Sequence, residues 1–148
     1  MTELKNCYTY IIGGYSSDDI LWDGKIIRAY DDKYWSDFLD DELLSKKSIS
    51  INICNLGPIF KIDNLYYNSN GILVPEYEVI DLKYDGYLYW HKYTDKQLKS
   101  LDSLLKLLTA KWNIKITDIN RIFKYDRKLN IEKGIYSYNN ISPNHMNI

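Results

Sequence analysis

The chain has 148 residues, 45% hydrophobic and 26% charged, with a formal net charge of −1. That length suits one domain with a real core, and the balanced charge argues against a binder of long nucleic acid, which shows a basic excess. No apolar run approaches the ~20 residues of a membrane helix, and Met1-Thr2-Glu3-Leu4-Lys5-Asn6 shows no signal peptide. Two counts stand out: 15 Tyr and 4 Trp, against 2 His. Cys7 and Cys54 sit in apolar surroundings without C-x-x-C spacing or a nearby His, so both read as buried reduced thiols.

In chain order, residues 7–12 (C-Y-T-Y-I-I) predict a strand closed by Gly13-Gly14. Asp23-Gly24 is a hairpin signal, with a strand over residues 25–30 behind it. Residues 31–47 mix acids, aromatics and leucines, with a short helix at 37–44. Residues 48–55 alternate strictly, with Ile49, Ile51 and Ile53 on one face and Ser48, Ser50, Asn52 and Cys54 on the other. That small polar face suits the floor of a groove; a solvated face is the plain alternative. Gly57-Pro58 ends the strand.

Residues 61–75 predict a hairpin around Asn68-Ser69-Asn70-Gly71. Residues 84–93 form a dense aromatic loop with Tyr84, Tyr87, Tyr89, Trp90 and Tyr93. Thr94-Asp95-Lys96-Gln97 is a capping box. The helix behind it aligns Leu98, Leu101, Leu104, Leu105, Leu108 and Trp112 in one stripe that packs on a sheet. A turn and short strand at 113–117, a helical stretch at 118–124 and a strand or turn at 134–138 complete the order. Strands alternating with helices predict one α/β domain over 1–148, with a single mixed central sheet flanked by helices.

Asp23-Gly24-Lys25-Ile26-Ile27, then Asp32-Lys33-Tyr34-Trp35, then Ser48 to Asn55 with Gly57, resemble the zinc-dependent N-acetylmuramoyl-L-alanine amidases, in particular the phage and prophage endolysin branch. That family carries a D-G-x-I-x-Q-L hairpin, a K-Y-W-A-Y-H-L segment and an S-I-G-I-E-L-x-N-x-G strand. Val74-Pro75-Glu76 and Tyr93 to Gln97 are similar to the segment before its long helix, and Gly134-Ile135-Tyr136-Ser137 to its G-I-x-x-H turn. The order and spacing of the five motifs carry the likeness, which implies an amidase or peptidoglycan-recognition-like fold over most of the chain.

Amidase chemistry needs a zinc held by two imidazoles and a third ligand, with an open position for water, and a group that moves protons. Against the family pattern, Tyr138 stands at the His of G-I-x-x-H, Asn52 at the Glu of S-I-G-I-E, Phe38 at the His of Y-W-A-Y-H and Asn147 at the closing Asp. The first-strand His is missing or falls in Tyr8-Thr9-Tyr10, which has none. His91 reads as a surface or packing residue and His145 as a solvated one. The expectation is therefore no zinc, no cofactor and no amidase activity.

The old substrate groove would keep Asn52 on its floor and Tyr10, Arg28, Trp35, Tyr138 and Asn139 on its walls, a lining suited to stacking and hydrogen bonding. Tyr34 and Trp35 are equally ordinary core candidates. Three functions are compatible with this lining. The favoured one is a phage or mobile-element protein that sequesters a nucleotide-like immune signal in the host cytoplasm. Arg28, Arg121 and Arg127 would pair its phosphates, and tyrosines would stack its base. The second is a muropeptide binder without hydrolysis. The third is an inhibitor of a host protein that works through the aromatic segment 84–93. None involves a membrane or long nucleic acid; assembly of several copies fits the first, although no heptads mark it.

Overall fold

The computed structural model describes residues 8–15, 20–36, 38–39, 41–115 and 133–141, without the side chains of residues 20, 139 and 141. Helices and strands are mixed, as the alternation predicts, but the strands form two sheets rather than a single central one. The chain makes two compact units, the first ending at Ser100 and the second beginning at Leu101.

The first unit opens with a three-stranded sheet of β1 (Tyr10–Ile12), β2 (Ile26–Arg28) and β3 (Ile51–Ile53), in the order β2-β1-β3. β1 runs antiparallel to β2 and parallel to β3. On one face Tyr10 and Ile12 are buried, while Ile26 beside them is 43% exposed. Each strand spans three residues, fewer than the sequence pattern predicts, and the Gly13 N–H, donating to the Lys25 carbonyl at 2.9 Å, adds one bond beyond the β1–β2 pairing. The short helix α1 (Glu42–Lys46) starts later than residue 37 because Asp41 caps it, accepting from the Leu44 N–H at 3.0 Å.

The second sheet is antiparallel throughout. It contains β4 (Pro58–Ile62), β5 (Leu65–Tyr67), β6 (Leu73–Val74), β7 (Val79–Tyr84) and β8 (Tyr87–His91), in the order β6-β5-β4-β8-β7. Short turns close β4 onto β5 and β7 onto β8, while β1–β3 and β4–β8 pair across longer stretches of chain. Asp63 and Asn64 both take positive φ, 48° and 64°, and close β4 onto β5. Asp85 and Gly86, at 51° and 84°, close β7 onto β8. The aromatic segment 84–93 is thus mostly a hairpin, not a loop, and Asp85-Gly86 is its turn signal. Asn70-Gly71 also lies in a turn, bracing β5 and β6 through Asn68, whose side chain accepts from Asn70 and Ile72. Residues 61–75 therefore hold two turns where one was expected. Ile59, Tyr66 and Val74 form the buried core of this sheet, with Val79 and Tyr89 against them.

The capping box forms as predicted: the Thr94 N–H donates to Gln97 Oε1 at 3.0 Å, and the Gln97 N–H to Thr94 Oγ1 at 3.1 Å. It starts α2 (Asp95–Trp112), where Leu104 and Leu108 are buried. In the second unit, α3 (Tyr138–Ile141) stands where the sequence suggests a strand or turn ending at 138. Its start is set by Asn140, whose Oδ1 accepts from the Ser137 N–H at 2.9 Å. The helical stretch at 118–124 lies outside the described residues. Among the described residues no helix is long and apolar enough to cross a membrane.

Candidate functional site

A buried set of hydroxyls holds the chain that leaves β2. The Thr9 N–H donates to Ser50 Oγ at 2.9 Å, and the Ser50 N–H returns to Thr9 Oγ1 at 3.3 Å. Thr9 Oγ1 donates to the Tyr30 hydroxyl at 3.2 Å, which lies 2.6 Å from Ser36 Oγ. Thr9, Ser36 and Ser50 are all buried. Hydroxyls removed from water cost free energy unless they are paired. Their mutual pairing therefore fixes residues 30–36 against the starts of β1 and β3.

That fixed segment presents charge and rings to solvent. Arg28 Nη2 lies 2.6 Å from Asp32 Oδ1 and 3.2 Å from Asp31 Oδ1. The Asp32 side chain is 1% exposed and that of Arg28 43%. Two carboxylates, one buried and one half-exposed, thus share one nitrogen of a guanidinium that stays 43% exposed, which fixes its orientation. Further along, Tyr34 is 60% exposed and Trp35 37%. Both rings carry an ammonium: Lys33 Nζ is 5.2 Å from the Tyr34 centroid and Lys46 Nζ 4.8 Å from that of Trp35. The surface can hold an anion and stack a flat group, and Tyr34 and Trp35 are not core residues.

The residues singled out from sequence fall in three places. Tyr10 pairs with Arg28 across β1 and β2 and with Ile51 across β1 and β3, so Tyr10 and Arg28 share a face. Asn52 pairs with Ile11 and projects from the other face, the one that Ile11 and Ile27 share. The sheet does not bring Asn52 together with Tyr10 and Arg28, because neighbouring positions on a strand point oppositely. Trp35 lies on the segment after β2, while Tyr138 and Asn139 open α3 in the second unit. Arg121, Arg127, His145 and Asn147 lie outside the described residues. Sequence reasoning missed Asp32, whose role shows only when the chain bends it back under Arg28.

His91 behaves as a packing residue with a polar partner. Its side chain is 5% exposed, and Nε2 lies 3.5 Å from Glu78 Oε2. Burial lowers its pKa below the usual 6.5, with Glu78 pulling the other way. Its Nδ1 and the Trp90 Nε1 are buried without a hydrogen-bond partner among the described residues. Trp90 instead meets the rings of Tyr84 and Tyr87, each 5.7 Å away. Among the described residues no three His, Cys, Asp or Glu side chains gather into a metal site. No protein-family model matches the chain, and no curated protein and no solved structure matches it.

Proposed function

We propose that this chain is a non-catalytic binding protein of amidase-like fold that sequesters a small polar ligand, with a nucleotide-derived immune signal as the leading class. The observation that carries the reading is the Arg28 guanidinium held by buried Asp32, two exposed rings further along the same fixed segment. A phosphate meeting the exposed part of the Arg28 guanidinium, in competition with Asp31, and a base on Tyr34 or Trp35 would use what β2 and the segment after it offer. Each stacked base is worth ~1–3 kcal/mol.

The amidase likeness rests on the order of five motifs, and the chemistry argues for binding without cleavage. The segment matching the family's first zinc strand carries Thr9, whose hydroxyl is engaged with Tyr30. His91 is buried beside Glu78. A protein of phage or mobile-element origin acting in the host cytoplasm would use such a site as a sponge against a defence signal. Calorimetric titration with cyclic nucleotides and ADP-ribose derivatives tests this. Saturable binding that weakens by roughly tenfold or more in Arg28→Ala is expected. Absence of heat at micromolar protein, or an Arg28→Ala protein that binds equally well, overturns it.

The motif order also favours a second reading, a muropeptide binder that no longer cleaves. Retention on cell-wall sacculi, with no response to nucleotides, would select it. Inhibition of a host protein through residues 84–93 is less favoured, because Tyr84, Tyr87 and Trp90 pack on one another.

A further inference from the structure

We infer that the outer face of the five-stranded sheet is an interface between two copies of this chain, related by a two-fold axis. The registers assign the faces. Pro58, Phe60, Ile62, Leu65, Tyr67, Leu73, Ile80 and Trp90 lie on one side, by the pairs Phe60↔Tyr67, Ile62↔Leu65, Tyr67↔Leu73, Pro58↔Trp90 and Ile80↔Trp90. Ile59, Tyr66, Val74 and Tyr89 lie on the other, which is the buried core side.

An antiparallel sheet with one covered face normally turns polar residues outward. Here none of those eight positions is charged, although Pro58 among them is buried, while Lys61 and Asp81 stand on the core side. Phe60, Ile62, Leu65, Leu73 and Ile80, with Leu88 two residues before Trp90, are 40% to 57% exposed. Half-exposed apolar side chains of this size each show ~100 Å², so the six offer on the order of 600 Å². That matches or exceeds the largest apolar patch of a typical monomer.

The size of the patch selects the occupant. Two copies face to face would bury about 1,200 Å² from these six alone, the lower bound for a specific pair, and Tyr67 and Trp90 add to it. None of those eight positions puts a charge against a second copy; Lys92, two residues past Trp90, stands at the end of the face, and the chain's net charge of −1 adds little. Twisted sheets stack at about 30°, and a two-fold axis through the face closes the assembly at two copies.

Sedimentation of the full chain across micromolar concentrations tests this, with Ile62→Glu and Leu73→Glu as variants on separate strands and Leu43→Glu, on α1, as control. Circular dichroism checks that each variant folds. A mass that doubles with concentration, at least a tenfold weaker association in either folded interface variant, and an unchanged control are expected. A chain that stays monomeric, grows past two copies, or associates equally well as folded Ile62→Glu or Leu73→Glu overturns the inference. If one variant fails to fold, the other decides. The outcome is independent of nucleotide binding, since Arg28 and Trp35 lie outside this sheet.

Discussion

His91 shows how a single buried side chain makes stability depend on pH. Desolvation favours the neutral imidazole, and Glu78 only partly opposes it. The folded pKa thus lies below the unfolded value of 6.5, and the unfolded chain binds the extra proton. His91 therefore costs nothing above 6.5 and destabilises the fold as pH falls below it, by up to about 1.4 kcal/mol per pH unit. Urea unfolding at successive pH values should show this loss, and His91→Gln should flatten it; an equal slope in the variant would show that other groups carry it. Ser50 is a second residue-scale case. It accepts from the buried Thr9 N–H, so Ser50→Ala strands that donor and should cost roughly 1–3 kcal/mol in the same assay.

At the scale of elements, the start of α2 does more than cap a helix. Gln97 is 1% exposed and makes three bonds to two partners: its Oε1 accepts from Thr94, its N–H donates to the Thr94 hydroxyl, and its Nε2 donates to the Cys54 carbonyl at 2.7 Å. Thr94 Oγ1 in turn donates to Asp23 Oδ1 at 2.5 Å, and Ser100 Oγ to the Gly24 carbonyl at 2.5 Å. The helix start thereby fastens the β1–β2 hairpin and the end of β3. Gln97→Ala should cost roughly 2–3 kcal/mol, against about 1 for an isolated cap; a loss no larger than that would mean the Cys54 bond adds nothing.

Two glycines separate strain from crowding. Gly86 has φ 84° and open space around a would-be Cβ, so Gly86→Ala should cost only the ~1–2 kcal/mol of left-handed backbone. Gly24, at φ 73°, would also drive a Cβ to 2.9 Å from the Lys96 backbone, so Gly24→Ala should cost more. Thermal midpoints of the two variants give the order.

For the whole molecule, binding without catalysis has a direct test. Chelation should leave the melting temperature unchanged, and the purified protein should neither carry stoichiometric zinc nor release stem peptides from peptidoglycan. Zinc together with stem-peptide release would restore the enzyme reading. Two sheets in place of one also change where function is sought. The Arg28 segment belongs to the three-stranded sheet, while the aromatic hairpin and the apolar outer face belong to the five-stranded one.

What was legible in the sequence was local. Thr94 and Gln97 are three residues apart and find each other in any helix that begins there. Asp23-Gly24 and Asn70-Gly71 turn because their backbones tolerate positive φ, and Asp85-Gly86 offered the same signal unread. The alternation around Ile51 and Ile53 correctly set them opposite Asn52. It could not say that Tyr10 and Arg28 would join the isoleucines, because that depends on registers between strands 16 or more residues apart. Nor could it show which face of the second sheet is covered. A strand's period of two fixes relative sides only, and it is the burial of Ile59, Tyr66 and Val74 that leaves Phe60 and Ile62 on the other side. Glu78 beside His91 likewise came from strand pairing, and Asp32, only four residues after Arg28, meets it because the chain turns back just past β2.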